Sequence, residues 1–375
     1  AAGYDHPDFI YAFSPKPFLM LSAIRDFFSI EGARATYSEA SRVYDSLGVA
    51  AKFGKFEADD GHGYTQPRRE AAYRWFTKWL KGAEDITPES PVRLLSETEA
   101  NCTPTGQIAT SLKGHTVHSL NLARWKELRK PGSLEDVKRL TGFQARLDGV
   151  KARSYGTLAV APGIVAEKYL IEPEKGIVLP ALLYRGEGGS KKDAVILAHG
   201  RGKVAVRAEA LALAKAGKVV LAVDLRGMGE TSNGHRERSG DWSRYLGDYE
   251  SAQIAFLLNK PLVGMRAEDV SAAVTFLAGR ADVDAAKIRV HAFEMAAVPA
   301  LHAMAMDTRI AALTVERMVQ SYESIIRGRI HRGQTENIVV GALRHYDLPD
   351  LINWSSPRKV TVVDPLNPLG QLVTP

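Results

Sequence analysis

Between residues 194 and 363 short aliphatic runs alternate with longer stretches of helical spacing, and this alternation limits the possible folds more than any other feature. The runs at 194–198, 219–223, 288–290, 311–315 and 359–363 have strand length, and the stretches at 207–216, 266–277 and 299–306 repeat their apolar residues as helices do. Strands apolar at nearly every position are covered on both faces. Strand–helix–strand connections then run as right-handed crossovers, so the expectation is a doubly wound, mostly parallel sheet. Just upstream, 167–171 and 177–184 flank the turn 173–176 and are expected to pair antiparallel.

The first 82 residues carry a shorter version of the same pattern. An apolar run at 15–24 follows the pair Pro15 and Pro17 and reads as a buried strand with Asp26 at its carboxyl end. A helix is expected over 30–47 with Gly48 as its stop, and a strand over 49–57. The loop Asp59-Asp60-Gly61-His62-Gly63-Tyr64 comes next, and a helix opened by Pro67 runs to Leu80 and ends at Gly82. Residues 83–165 change to scattered Pro, Gly, Ser and Thr and are read as a linker region. Within it a helix is expected near 133–140, where Ser133 and Asp136 form an N-terminal capping pattern. The segments Pro15-Lys16-Pro17-Phe18-Leu19-Met20-Leu21 and Pro357-Arg358-Lys359-Val360-Thr361-Val362-Val363 look like one strand repeated in two tandem domains.

Charge and cysteine content remove several function classes. The 49 basic and 43 acidic residues are interleaved, and the one local cluster (Arg327, Arg329, His331, Arg332) is short and lacks interleaved aromatics, so nucleic acid is not an expected partner. No apolar run reaches the roughly 18 residues of a membrane span, so no membrane partner is expected. Cys102 stands alone, which excludes an internal disulfide and a cysteine-rich metal site. Around His291, His302 and His345 no metal-ligand spacing occurs either, and no cofactor is expected. The chain opens on Ala1-Ala2-Gly3 inside what reads as a domain, which points to a reading frame cut at both ends.

Asp26 and His62 each follow a strand, with a helix between them. A hydroxyl nucleophile needs a histidine base and a carboxylate to fix its tautomer, and these two residues suit those roles. A surface Asp and a loop His would satisfy the same spacing. Residues 6–82, through His6-Pro7-Asp8-Phe9, Asp26-Phe27-Phe28, Gly61-His62-Gly63-Tyr64, Trp75-Phe76 and Trp79-Leu80, resemble the carboxyl end of bacterial acetyl xylan esterase-like hydrolases. The resemblance implies an α/β-hydrolase fold, with Asp26 and His62 as two members of a Ser-Asp-His triad whose serine lies upstream of Ala1.

Residues 166–370 resemble the same superfamily. Ala198-His199-Gly200-Arg201-Gly202 matches its oxyanion loop, with His199 and Gly200 as candidate residues, and Asp224-Leu225-Arg226-Gly227-Met228-Gly229 matches a turn in which Asp224 and Arg226 are expected to hold loops. The nucleophile elbow departs from the pattern. Where Gly-x-Ser-x-Gly is expected, Ala292-Phe293-Glu294-Met295-Ala296 stands, and Glu294 cannot act as a hydroxyl nucleophile. Asp364 occupies the acid position, and no histidine follows it in the sequence. His291, His302 and His345 are expected to be packing or surface residues, and Trp75, Phe76 and Trp79 core, while Trp242 and Tyr245 sit where a lid could cover a pocket.

The expected organisation is therefore the carboxyl portion of one α/β-hydrolase domain (1–82), a linker (83–165), and a second, degenerate and non-catalytic domain (166–375) that lacks its last strand. The function implied by the resemblance is a serine-type esterase of acylated carbohydrate or another small ester, secreted or periplasmic, bacterial, completed by an upstream half. A prolyl-peptidase-like or dienelactone-hydrolase-like specificity would look much the same over these segments. The alternatives are a non-catalytic binding or assembly module and, third, an enzyme that uses Glu294 as nucleophile.

Overall fold

The computed structural model describes residues 3–84, 88–145, 148–188, 190–233 and 245–373. The chain divides into two compact units, Ala1–Lys113 and Gly114–Pro375.

In the first unit β1 (Phe18–Ala23) and β2 (Phe53–Ala58) form a parallel pair, with the helix Ile30–Ser46 as the crossover between them. Tyr44 and Ala40 of that helix are fully buried against Phe53 and Ile10, and the Tyr44 ring stacks on Phe53 at 5.0 Å. The third helix, Gln66–Phe76, carries Pro67 in its first turn, and Gly82 closes the following wide turn Thr77–Lys81 in a left-handed conformation. Trp75 lies across β2, where a Cβ on Gly54 would come within 2.7 Å of its ring, and is half-buried like Trp79, whereas Phe76, also expected in the core, is 59% exposed.

The second unit is built on an eight-stranded sheet in the order β3-β4-β5-β7-β6-β8-β9-β10. Its strands are β3 (Lys151–Ala161), β4 (Ile164–Glu174), β5 (Ile177–Gly186), β6 (Lys192–His199), β7 (Val219–Val223), β8 (Val283–Phe293), β9 (Ala312–Glu316) and β10 (Lys359–Val363). The neighbours from β7 to β10 are parallel, while β3, β4, β5 and β7 pair antiparallel. Alternate residues of the central strands serve two separate cores. Ala194, Ile196 and Ala198 of β6 pack with Leu221 and the helices Leu262–Ala278 and Ala297–Met306, whereas Val195 and Leu197 pack with Val220, Ala222 and the helix Arg207–Lys215. Helices thus cover both faces, as the continuous apolar runs require. This is the α/β-hydrolase fold, with a mostly parallel sheet and a topology ending at β10.

The stretch read as a linker contributes ordered structure to both units. The capping pattern at Ser133 is realised, with Ser133 Oγ accepting from the Asp136 N–H and Asp136 accepting from the Ser133 N–H. The helix it starts, Leu134–Thr141, packs so closely on Leu262–Ala278 that a Cβ on Gly264 would stand 1.9 Å from the Thr141 carbonyl oxygen. β3 also lies in this stretch.

Candidate active site

Pairing of β1 with β2 continues past both strand ends. The Ile24 N–H donates to the Ala58 carbonyl at 2.9 Å and the Arg25 N–H to the Asp60 carbonyl at 3.0 Å, which brings Asp26 beside the 59–64 loop. There His62 Nδ1 lies 3.1 Å from each carboxylate oxygen of Asp26. Asp26 also accepts the Phe28 N–H at 3.1 Å. That bond is the main cause of an Asp26 pKa below the usual carboxylate value, with the hydrogen bond to His62 adding to it against partial burial. The carboxylate is largely covered, with 13% of its side chain exposed, while the imidazole is 60% exposed and lies 4.4 Å from the Phe27 ring. With Nδ1–H given to the carboxylate, the neutral ring presents Nε2 as a base.

A residue the sequence reading passed over fixes the histidine loop. Arg68 is buried, and its guanidinium contacts both the Gly61 carbonyl and the Asp60 carboxylate at 3.0 Å. Gly63 adopts φ +146°, which few side-chain-bearing residues tolerate. Nothing in the local pattern marks Arg68, because a basic residue in the first turn of a helix ordinarily reads as solvated.

In the second unit the oxyanion-loop candidates and the altered elbow come together. His199, Phe293, Glu316 and Val363 are aligned across β6, β8, β9 and β10, and the residues immediately beyond them are Gly200, Glu294, Arg317 and Asp364. Glu294, Arg317 and Asp364 have φ of +53°, +55° and +47°, so three neighbouring strands each end on a non-glycine residue in left-handed backbone. Such residues cost of the order of 1–3 kcal/mol each and gather at functional sites. Gly200 is needed here, since a Cβ would approach Met295 Cβ at 3.0 Å and its amide nitrogen at 3.1 Å. The Glu294 carboxylate is 3.8 Å from both His199 Nδ1 and Arg201 Nε. His199 Nδ1 accepts the Arg201 N–H at 3.0 Å, so the neutral ring carries its proton on Nε2. Burial lowers the His199 pKa, outweighing the nearby Glu294 carboxylate. These groups line a cleft of about 470 Å³.

Behind the elbow the turn 224–229 is a loop staple. Asp224 accepts the Lys203 N–H at 2.5 Å, the Lys203 ammonium at 2.7 Å and the Glu230 N–H at 2.9 Å. Arg226 pairs with fully buried Asp269, Nη2 lying 2.5 Å from Oδ1. His291 bonds Glu209 at 2.7 Å, His302 is fully buried, and His345 lies 3.4 Å from Asp136, which matches the packing and surface roles expected of them. Trp242 falls outside the described residues, and Tyr245 lines a separate cleft. Among the described residues no group of three His, Cys, Asp or Glu side chains could hold a metal, and no helix is long and apolar enough to cross a membrane.

No protein-family model matches the sequence, and no curated protein matches it either. Solved structures do. A Bacteroides fragilis protein provisionally named an acetyl xylan esterase superposes with a TM-score of 0.57 at 15% identity, covering 72% of this chain and 79% of its own. Acetyl xylan esterase 1 of Thermoanaerobacterium gives 0.43 at 15% identity over 66% of this chain and 93% of its own. A glucuronoyl esterase of Solibacter usitatus gives 0.43 at 15% identity over 72% and 79%. The first likeness shows the fold: the chain is similar to α/β-hydrolase carbohydrate esterases in architecture, with little sequence in common.

Proposed function

We propose that this chain belongs to a serine-type hydrolase of acylated carbohydrate, to which it contributes Asp26 and His62. The attacking serine would come from residues outside these 375, which contain no Gly-x-Ser-x-Gly. The observation that carries this reading is the Asp26–His62 contact at the carboxyl ends of adjacent parallel strands. In the reaction the serine hydroxyl gives its proton to His62 Nε2 as oxygen attacks the ester carbonyl, and Asp26 stabilises the imidazolium. His62 then returns the proton to the departing sugar hydroxyl, and water repeats the sequence to free the acid.

For the second unit the reading is a non-catalytic, ligand-binding α/β-hydrolase scaffold, favoured by Glu294 at the elbow. The discriminating measurement is turnover of p-nitrophenyl acetate and of an acetylated xylo-oligosaccharide. The 375-residue chain should show none. A protein extended upstream should hydrolyse both, lose about 10³-fold or more with His62→Ala, and stay near its starting activity with Glu294→Gln. Turnover by the chain alone that survives His62→Ala but not Glu294→Gln would overturn the proposal.

A further inference from the structure

A second cleft of the second unit collects basic side chains that no other part of the fold uses. The loop 328–333 is tied down by its backbone: the Arg332 N–H donates to the Pro368 carbonyl at 2.8 Å and the Gly333 N–H to the Tyr245 carbonyl at 2.6 Å. Beside it stands a hairpin over 365–373, closed by the Asn367 N–H to the Gln371 carbonyl and the Val373 N–H to the Pro365 carbonyl, both at 2.8 Å. The cleft between them is about 770 Å³, and its walls include Arg329, His331, Arg332, Tyr245, Ile330 and Leu369.

The arginines here differ from their neighbour. Arg327 is neutralised by Glu323 at 2.6 Å and lies over the Trp125 ring. Arg329 and Arg332 have no carboxylate within ion-pair distance among the described residues. Between them His331 Nδ1 is closed off from solvent with no hydrogen-bond partner among the described residues. Tyr245 and Ile330 are 53% and 70% exposed, and Leu369 is exposed as well, so apolar surface faces solvent around two guanidiniums that have no carboxylate partner among the described residues. An inorganic anion would occupy a small part of this volume and leave the apolar wall wet. A purely apolar ligand would leave both cations without a counter-charge. A ligand with an oxyanion and an apolar face meets both demands, and a guanidinium is suited to a carboxylate or phosphate because its N–H groups form a planar fork.

We propose that this cleft binds a carboxylate-bearing sugar, with the carboxylate held by Arg329 and Arg332 and the C–H face of the ring laid on Tyr245 and Leu369. The choice of a sugar rests on the reading of the chain as part of a carbohydrate esterase; the choice of an oxyanion rests on the side chains alone. The cleft then gives the second unit a recognition role for acidic residues of a polysaccharide, separate from the elbow.

Calorimetric titration of the 375-residue chain with three probes tests this: a glucuronate-bearing xylo-oligosaccharide, the neutral oligosaccharide of equal length, and glucose 6-phosphate. The acidic oligosaccharide should bind at least roughly tenfold more tightly than the neutral one, and more weakly as salt rises. Arg329→Ala and Arg332→Ala should each weaken it by about tenfold. Arg153→Ala, on the opposite edge strand, should leave it unchanged. Both cleft arginines are exposed and form no ion pair among the described residues, so circular dichroism should confirm that the variants fold. Equal binding of acidic and neutral oligosaccharides, or retention in both arginine variants, overturns the site. Preference for glucose 6-phosphate overturns the carboxylate assignment. None of these readouts involves turnover, so an inactive Asp26–His62 pair would leave the binding result standing.

Discussion

His62 Nδ1 sits 3.1 Å from both carboxylate oxygens of Asp26, although a helix of 17 residues and a strand separate the two in sequence. The parallel register of β1 on β2 carries each residue to the same end of the sheet, and Arg68 fixes the loop on which His62 rides. A carboxylate in this position can hold Nδ1–H of a neutral imidazole and leave Nε2 free.

Replacing Asp26 with Asn should preserve the shape while removing the acceptor that holds Nδ1–H. In the serine-bearing protein, kcat for an acetyl ester should fall by about 10³–10⁴-fold with KM little changed, because the ring is then held in the wrong tautomer. A fall of less than tenfold would mean that Asp26 is not the orienting acid.

Glu294 holds a left-handed backbone that glycine adopts at no steric cost. Glu294→Gly should therefore leave stability unchanged or raise it by about 1 kcal/mol in urea denaturation. Glu294→Ser should restore no esterase activity to this chain, since no histidine follows Asp364 in the sequence. Destabilisation by more than about 1 kcal/mol would show that the glutamate side chain itself supports the elbow.

Gly264→Ala should be severely destabilising. The added methyl would meet the Thr141 backbone oxygen at 1.9 Å, and no side-chain rotation relieves a clash with main chain. A loss of about 3 kcal/mol or failure to accumulate folded protein is expected, and a urea midpoint matching the wild type would contradict the helix contact.

His302 should make the fold acid-sensitive. It is wholly buried, Nδ1–H donates to the Val298 carbonyl at 2.8 Å, and Nε2 accepts from the Tyr346 hydroxyl at 3.1 Å. Burial lowers its pKa to about 4, against the smaller opposing effect of the Val298 bond. The unfolded chain binds this proton below about pH 6.5 and the folded one does not until about pH 4, so stability drains away between those values as pH falls. The loss is of the order of 3 kcal/mol. His302→Gln should flatten that part of the profile, measured as the difference in urea stability between pH 7.5 and 4.5; equal losses in both proteins would assign the acid limb to other groups.

How far the sequence disclosed the molecule depended on burial. Val219–Val223 and Lys359–Val363 were legible to the residue because aliphatic runs bounded by polar residues leave few alternatives. The nearness of Asp26 to His62 was legible because each lies in the loop after a strand. β3 was not: its first nine residues are exposed, so no apolar alternation marks them, and Gly156 interrupts the run. The left-handed Arg317 was equally hidden, since arginine carries no preference for that backbone and only the neighbouring strand ends impose it. Arg68 and Lys203 hold the candidate-site loops through contacts with groups outside their own local pattern.

The outer edge of β3 bears on how two copies of this protein would meet. The first nine of its 11 residues are exposed, and an edge strand of this kind offers amides and carbonyls to a passing chain. Its ladder with β4 slips between Ser154 and Thr157, where Gly156 turns to φ +98°, and Arg153 folds over the Tyr155 ring at 5.1 Å. An incoming strand would find its hydrogen bonds out of step midway and a cation at the point of mismatch. Such a bulge works against edge-to-edge pairing, because it denies an incoming strand an unbroken ladder.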